Sequence, residues 1–334
     1  MLGRRAIARD SIGNINMTFI TNAIKEALEK STLNDFSKFL RIVDKSACWY
    51  LLSDYCFDDV KKISDSISFS VLLSHDRIDN IKEYIRSFQP KDIKSTNEPT
   101  DGFIKYLNSP VIFHFSFIFR KQDNYLLNCL DSKTISLYID DLEKDIAVWI
   151  RDDPSASEYY VDVLKRIRLL RNEMMAKSFS WKLLRKIFIT SCLSSLLIFE
   201  LASINKPISI SWISDRDGIV EKYQGIALDI AFCNCHYLFS EDQKDKEYFD
   251  LGLLPKVYFL TSKKNTIDDY EELVRIPDYI AGTVAELKGN DYEFTHGKYI
   301  PLFYEAIVNS ENHSIIAIDN PNDDFYIRRI KYVL

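Results

Sequence analysis

Glycine is scarce in this chain, with only 9 among 334 residues. The sequence has neither a G-x-x-x-x-G-K-[ST] loop nor a G-x-G-x-x-G element, the patterns whose backbone N–H groups cradle phosphates. Nucleotide binding through a glycine-rich loop is therefore not expected. A G-x-S-x-G element is missing as well, so nothing in the sequence supports a serine nucleophile of that type.

The 6 cysteines and 5 histidines are dispersed along the chain. The cysteines form no dense disulfide framework, and no apolar stretch of signal-peptide type follows Arg4 and Arg5. A reducing cytoplasm is therefore the expected compartment. The "CNCH" run at 233–236 has no second Cys or His pair at zinc-site spacing. Cys233 and Cys235 are predicted to pack inside a helix.

The sequence also lacks a long uninterrupted apolar segment and a basic overall charge. The most apolar stretch, "IFITSCLSSLLIFELASI" at 187–204, contains Glu200 and several hydroxyls, and a spanning helix needs about 20 apolar residues. We expect a buried helix and no membrane association. The formal net charge is −6, so any nucleic-acid binding would have to use a local basic patch.

Hydrophobic spacing divides the chain into four parts. Residues 1–44 are predicted to form an arm and a helix, and 45–121 the first half of a core. A helical insertion is predicted over 122–206, and the second half of the core with a tail over 207–334. Strands are indicated by alternation or by aromatic and β-branched runs. The first is predicted in the run 48–59 and to end at Asp54, and the others are predicted at 66–73, 111–119, 208–214 and 256–262.

Later helices are predicted at about 218–239 and 277–288, and 88–102 is predicted to be a loop. Acidic residues then occupy similar places: Asp54 at the end of the first strand, Asp215 and Asp217 after the fourth, and Asp278 at the start of the last helix. Ala281, Gly282 and Ala285 share a face with Asp278, so the helix can approach a strand closely with the acid pointing into the fold.

Two short motifs carry a resemblance to a known fold. "ISDRD" at 213–217 and "IPDYIAGTVAE" at 276–286 resemble elements of an uncharacterised bacterial family within the RNase H-like fold of the retroviral-integrase superfamily. That family has a strand ending in Ser-Asp-(Arg or Lys) and a late helix of (I/P)-(A/P)-D-x-(I/V)-A-G type. The resemblance covers roughly 48–288. It implies an α/β protein with a mixed sheet flanked by helices and a helical insertion between the third and fourth strands.

The same resemblance implies a function. Asp54, Asp215 and Asp278 would bind two divalent metal ions, Mg²⁺ or Mn²⁺, with Asp217 as a fourth ligand or a support. The protein would then be a nuclease of the bacterial cytoplasm that hydrolyses phosphodiester bonds in DNA or RNA. The family's first strand carries Asp-Glu-Ser-Gly, whereas this chain has "LSDY", so Tyr55 replaces the second acid. Asp58 or Asp59 is a possible substitute.

Other interpretations of the acids stay open. In one alternative, Asp54, Asp215 and Asp217 are unrelated polar residues at strand ends, and Asp278 is a carboxylate in a favourable place at a helix N-terminus. A second alternative is that the chain is an inactive RNase H-like scaffold, which binds nucleic acid or a partner protein without cutting. A third hypothesis is an interaction protein that binds its partner through the helical insertion.

A local basic stripe suggests how nucleic acid would bind. Phe179 and Trp181 are interleaved with its cations, a combination that favours a nucleic-acid backbone with exposed bases. Arg216, between two candidate ligands, is a further candidate for phosphate contact or for neutralising the acids. The alternative is a solvated helix face that pairs with acidic runs at 139–153 and 241–250. The candidate contacts in the stripe are Lys165, Arg168, Arg171, Lys182 and Arg185.

Overall fold

A seven-stranded mixed sheet forms the centre of the computed structural model, in the order β5-β4-β1-β2-β3-β8-β9. Two antiparallel pairings join β1 (Cys48–Cys56), β2 (Asp65–Leu73) and β3 (Ile112–Phe119). On the other side of β1, β4 (Ser209–Ser214) and β5 (Lys256–Thr261) run parallel to it. The structure describes residues 17–43, 47–152, 154, 157–243, 255–263, 266, 269–288, 291–320 and 325–332.

The tail, whose structure the sequence left open, extends the sheet beyond β3. A small hairpin of β6 (Leu287–Lys288) and β7 (Asp291–Tyr292) comes first. Strand β8 (His313–Asp319) then pairs parallel with β3, and β9 (Tyr326–Ile330) pairs antiparallel with β8. The general α/β class and the mixed sheet flanked by helices are thus confirmed.

Helices cover both faces of the sheet. One face, which we call the α7 face, lies against α1 (Met17–Ser31), α2 (Leu33–Leu40) and the long helices between β3 and β5. Those long helices are α5 (Ser132–Asp152), α6 (Ser157–Glu173), α7 (Trp181–Asn205) and α8 (Gly218–Gln243). The opposite face, the α9 face, lies against α3 (Ile78–Phe88), α4 (Asp101–Leu107), α9 (Glu271–Val284), α10 (Tyr299–Pro301) and a π-helical turn at Leu302–Val308.

Alternation along the strands explains the two cores. Leu51, Phe69 and Phe117 point to the α7 face, whereas Leu52 and Leu72 point to the α9 face. Successive side chains of a strand point to opposite faces, and both faces are buried here. The strands therefore appear as nearly continuous apolar runs, such as "IFHFSFIF" in β3.

Helix α7 is the apolar stretch singled out in the sequence. Its 25 residues are long and apolar enough to cross a membrane, and 89% of its most apolar window is buried inside the protein. Cys233 and Cys235 in α8 are buried in the core on the same side, as predicted for helix packing.

Three boundaries differ from the sequence prediction. Strand β1 continues to Cys56, so Asp54 lies inside the strand. Helix α9 begins at Glu271, so Asp278 lies in mid-helix and Pro277 falls within the second turn. A proline usually interrupts a helix because it has no N–H, which is why the sequence placed the start there. The segment predicted as a loop at 88–102 is flanked by two short helices, α3 and α4, whose ends it includes.

Candidate carboxylate site

Three elements bring acidic side chains to one end of the sheet. Strands β1 and β4 are parallel, with Ser53 opposite Ser214, and the Asp215 N–H donates to the Ser53 carbonyl at 3.2 Å. Asp54 and Asp215 therefore follow neighbouring positions on adjacent strands. Helix α9 packs across β1 and β2, so its Asp278 completes the group.

Small residues let α9 lie close to the sheet. The Ser66 hydroxyl of β2 donates to the Ala281 carbonyl at 2.8 Å. Gly282 instead lies against the loop at 89–100, where an added Cβ atom would come within 3.3 Å of the Ile93 side chain. The predicted close approach of the helix to a strand is confirmed, and it places Asp278 beside the α9 face of β1.

Asp54 and Asp278 form a buried carboxyl pair. Asp54 is only 8% exposed, and a hydrogen bond joins the two side chains. Burial raises the pKa of Asp54 well above its usual range, and the negative charges of Asp278 and Asp215 raise it further. Burial also raises the pKa of Asp278, although hydrogen bonds from Asp54 and the Ile93 N–H oppose that shift. The pair therefore retains a proton more readily than isolated carboxylates do.

Asp215 and Asp217 occupy the turn between β4 and α8. The Asp215 carboxylate accepts from the Arg216 N–H at 2.7 Å. The Asp217 carboxylate accepts from the N–H groups of Ile219 and Val220 at 2.7 and 3.3 Å, which is how an N-cap residue satisfies the first turn of a helix. Burial raises the pKa of Asp217, while those N–H donors lower it. A capping role for Asp217 is thus visible, and its predicted ligand role stays a prediction.

Tyr55 does not stand where a second ligand beside Asp54 would be. Its ring stacks on Phe57 at 5.9 Å, and its hydroxyl lies 2.7 Å from the Ser214 hydroxyl on the α7 face. Since neighbouring strand residues point to opposite faces, an acid at position 55 would point away from Asp278. The exchange for tyrosine therefore removes no ligand from the carboxyl pair.

The proposed substitutes, Asp58 and Asp59, also form their hydrogen bonds with groups other than the carboxyl pair. Asp58 accepts from Lys182 at 2.6 Å and from Lys186. These hydrogen bonds lower the pKa of Asp58 despite partial burial. The Asp59 carboxylate accepts from the Lys61 N–H at 2.9 Å. Neither acid makes a hydrogen bond to the carboxyl pair.

Lysines that the sequence gave no reason to choose lie around the pair. Lys94 and Lys298 are close enough for their charges to act on Asp278. The Lys298 ammonium donates to the carbonyls of Ile93 and Thr96, which fastens the loop at 89–100 over α9. No periodic or motif signal marks these lysines, because their proximity arises only from tertiary packing.

A buried ion pair anchors the connection after β1. Lys62 donates to Glu286, and their side chains are 6% and 0% exposed. The Lys62 ammonium also donates to the Gly282 carbonyl at 2.9 Å and lies 3.6 Å from the centre of the Tyr299 ring. This ion pair fixes the end of α9 relative to β1, and so fixes Asp278 relative to Asp54.

The oxygen ligands at this site are of the kind that a hard cation prefers, but there are few of them. Carboxylate oxygens are the ligands that Mg²⁺ and Mn²⁺ prefer, and Asp54 with Asp278 supplies two of them side by side. Within the described parts of the chain, no three His, Cys, Asp or Glu side chains are grouped closely enough to hold a metal ion. Asp215 acts on Asp54 through its charge. The arrangement fits one cation bound by the pair better than it fits two.

The basic stripe is largely paired with acids of its own helices. Lys165 pairs with Asp162 at 2.8 Å, and Arg168 pairs with Glu143 at 2.7 Å. Arg171 contacts Glu143 at 3.0 Å and also Asp140. These partners belong mainly to the acidic run at 139–153, as the alternative interpretation expected. The other acidic run, 241–250, lies mostly outside the described residues.

Two predicted contacts are placed differently from the rest. Arg185 is 4% exposed and donates to the Asn124 carbonyl at 3.0 Å, so its guanidinium has little surface for a ligand. Arg216 is exposed and pairs with Glu221. Lys182 keeps 48% of its side chain exposed beside Asp58. Of the predicted cations, Lys182 and Arg216 therefore lie at the same end of the sheet as the acids.

The fold and the site define an α/β protein with a buried pair of carboxyl groups at one end of a mixed sheet. In comparisons with known proteins, no family model, no curated protein and no solved structure matches the chain.

Proposed function

We propose that this protein is a divalent-metal-dependent nuclease built on an RNase H-like core. One observation carries the proposal: Asp54 on β1 and Asp278 on α9 form a buried carboxyl pair, and the charge of Asp215, in the turn after β4, acts on Asp54. The order of elements also supports it, because β1, β2 and β3 are followed by helices, by β4, by α8 and β5, and then by α9. The resemblance implies acids on the first strand, on the fourth strand and on this late helix.

Asp54 and Asp278 would hold the cation, Mg²⁺ or Mn²⁺. The hydrogen bond between them indicates a shared proton at the position where two carboxylate oxygens converge. A dication would replace that proton, since it offsets the repulsion that raises the pKa of Asp54. When bound, the ion would supply Lewis-acid stabilisation of the charge that develops on a phosphodiester.

The surrounding residues would position the substrate. Lys94 and Lys298 lie within electrostatic reach of Asp278, where their ammonium groups favour an incoming phosphate. Asp215, in the turn after β4, acts on Asp54 through its charge and would serve as a base or as an additional ligand. The two-ion form of the hypothesis would need more acids than the described residues bring to this point.

Thermal unfolding in EDTA, Mg²⁺ and Mn²⁺ tests the metal site directly. A ligand at about 100 times its dissociation constant stabilises the native state by about 2.7 kcal/mol, which raises Tm by several degrees. We expect the metal-dependent rise in the wild type and its loss in Asp54→Asn and Asp278→Asn. Asp79→Asn, an exposed acid on α3, is the matched control and should respond like the wild type.

The metal response must be followed by an assay of cutting. Labelled DNA and RNA, single-stranded and duplex, are incubated with wild type and with Asp278→Asn in Mg²⁺ and in Mn²⁺. Cutting by the wild type that the variant lacks supports the nuclease. A wild type that shows no Tm response to either ion contradicts the metal site.

A second candidate function is an RNase H-like scaffold that binds nucleic acid without cutting. The observation in its favour is that the carboxyl pair bonds to itself and that the described residues group no three ligands. This candidate predicts nucleic-acid binding that is insensitive to EDTA and no cutting under any of these conditions.

A further inference from the structure

Three aromatic rings form a partly buried cluster that packs against the core on the α7 face, beside the acid-bearing end of the sheet. Phe179 lies 5.5 Å from Tyr223 in a stacked arrangement, with 30° between the rings. Trp181 meets Phe179 edge-on at 5.1 Å. We call Phe179, Trp181 and Tyr223 the aromatic platform. The sequence placed the first two among basic residues, but Tyr223 belongs to a different helix, α8.

Tyr223 reaches the platform through an irregular backbone. Residues 222–225 interrupt α8, and Tyr223, Gln224 and Gly225 have φ values of 53°, 61° and 80°. Side chains other than glycine rarely adopt such angles. This break turns the Tyr223 ring toward Phe179, whereas a continuous helix would give it a different direction.

Cations accompany the rings. Lys177 and Lys222 are exposed next to the platform in sequence, and Lys182 follows Trp181 at the start of α7. The Asp58 carboxylate forms ion pairs with the ammonium groups of both Lys182 and Lys186, so one negative charge lies beside two positive charges. Acids are present as well, since Glu173 lies near Tyr223 and Glu221 pairs with Arg216.

The position of the platform connects it to the carboxyl pair. Asp58 follows the end of β1, and Tyr223 lies shortly after the turn that carries Asp215 and Asp217. The charge of Lys186 acts on Asp217. Platform, lysines and acids therefore share the end of the sheet at which β1 and β4 finish, with the platform on the α7 face.

We infer that the aromatic platform and the exposed Lys182 bind single-stranded nucleic acid. Rings can stack on bases only where the bases are unpaired and exposed, and lysines follow the phosphates between them. A phosphate would compete with the Asp58 carboxylate for the exposed Lys182 ammonium group. This inference names the substrate class of the proposed nuclease and rests on that proposal for the link to cutting.

Binding is measured by fluorescence anisotropy of labelled oligo-dT and oligo-U in EDTA, with a duplex of the same length as competitor. Removal of a stacking ring weakens binding by about tenfold, so Phe179→Leu with Tyr223→Leu should lose at least that factor. Tyr84→Leu, an exposed tyrosine on α3, is the control and should bind like the wild type. Melting curves establish that each variant is folded.

Tryptophan fluorescence gives a second measurement that needs no disruptive variant. Trp49 and Trp212 are at most 1% exposed, so unlabelled oligo-dT should quench mainly Trp181, and salt should reverse the quenching. Trp149→Phe removes the other half-exposed tryptophan and should preserve the signal. Quenching that persists in Trp181→Phe would contradict contact at the platform.

The results separate this inference from the proposed nuclease. Single-strand binding in EDTA that depends on the platform supports the inference, even where Mg²⁺ produces no cutting. Equal affinity for the duplex, unchanged binding by the double variant, or no binding by the wild type would overturn it. Cutting of duplex by a protein whose platform variants are fully active would overturn it while leaving the nuclease in place.

Discussion

At the scale of single residues, the surroundings of Asp54 disfavour the ionised form of its carboxyl group. Its carboxyl group is buried, bonded to Asp278 and near the charge of Asp215. Natural proteins keep such arrangements mainly where function requires them. The motif "LSDY" identified the residue, and alternation along the strand already places position 55 on the other face. Which of the two faces carries Asp278 depends on the position of α9, which the sequence could not show.

Asp54→Asn should stabilise the protein at neutral pH. The unfolded carboxyl titrates near its ordinary pKa, whereas the folded one holds its proton to higher pH. The folded state therefore binds more protons above that ordinary pKa, and ionisation lowers the free energy of unfolding as pH rises. We expect a gain of about 0.5–2 kcal/mol, measured by urea denaturation at pH 7.5.

The same experiment at pH 5 provides the check on its cause. As pH falls toward the ordinary pKa of aspartate, the wild-type pair is protonated and the advantage of asparagine should shrink. An advantage that is constant with pH would mean that packing, and not ionisation, explains the gain. Asp79→Asn on the exposed surface should show no gain at either pH.

At the scale of elements, the predicted helices and strands lie close to the observed ones, and the errors have local causes. Pro277 suggested a helix start, but α9 extends a turn and a half before it. The helix predicted over 218–239 exists as α8, yet its break at residues 222–225 left no sequence signal except Gly225. Helical spacing on both sides of the break is intact, so periodicity could not locate it.

The break in α8 makes a prediction about glycine. Gly225 has φ +80°, a conformation that costs residues with a Cβ atom about 1–2 kcal/mol. Gly225→Ala should therefore lower the free energy of unfolding by about that amount. At Gly218, which begins the same helix, an added Cβ meets nothing within 4 Å. Gly218→Ala should be neutral or slightly stabilising in the same denaturation assay.

The buried Lys62 and Glu286 pair makes another prediction about elements. Lys62→Met leaves a fully buried carboxylate without its ammonium partner, and such losses cost about 3–5 kcal/mol. Lys61→Met, at an exposed neighbour, should cost little. In the double variant Lys62→Met with Glu286→Leu, most of the lost free energy of unfolding should be recovered. A double-mutant cycle of Tm and unfolding free energy measures this recovery. A double variant as unstable as Lys62→Met would contradict the charge explanation.

At the scale of the whole molecule, the sheet is joined across its width by buried polar side chains. Ser70 lies 2.8 Å from His114, and Ser116 lies 2.9 Å from His313. These contacts link β2, β3 and β8. The sequence showed β3 as an apolar run and did not reveal that its histidine faces a serine and a second histidine. Strand partners beyond the first pair depend on long-range packing, and therefore on information that periodicity does not contain.

These histidines predict acid sensitivity of the fold. Burial lowers the pKa of His114 to about 4, and it lowers that of His313 as well, against about 6.5 for an unfolded histidine. The unfolded state binds more protons in that window, so the free energy of unfolding falls as pH drops from about 6.5 toward 4. His114 alone accounts for roughly 3 kcal/mol of that fall. Denaturation of the wild type and of His114→Gln between pH 7.5 and 4 measures it, and a variant with the same pH slope would contradict the assignment.

The wide separation of Asp54 and Asp278 along the chain has a consequence during synthesis. A ribosome adds about 5–20 residues per second, so the two carboxyl groups are made roughly ten to forty-five seconds apart. A nascent chain can form β1 to β4 long before α9 emerges to supply the second acid. Every nascent chain that ends before residue 278 therefore lacks the buried pair of carboxyl groups.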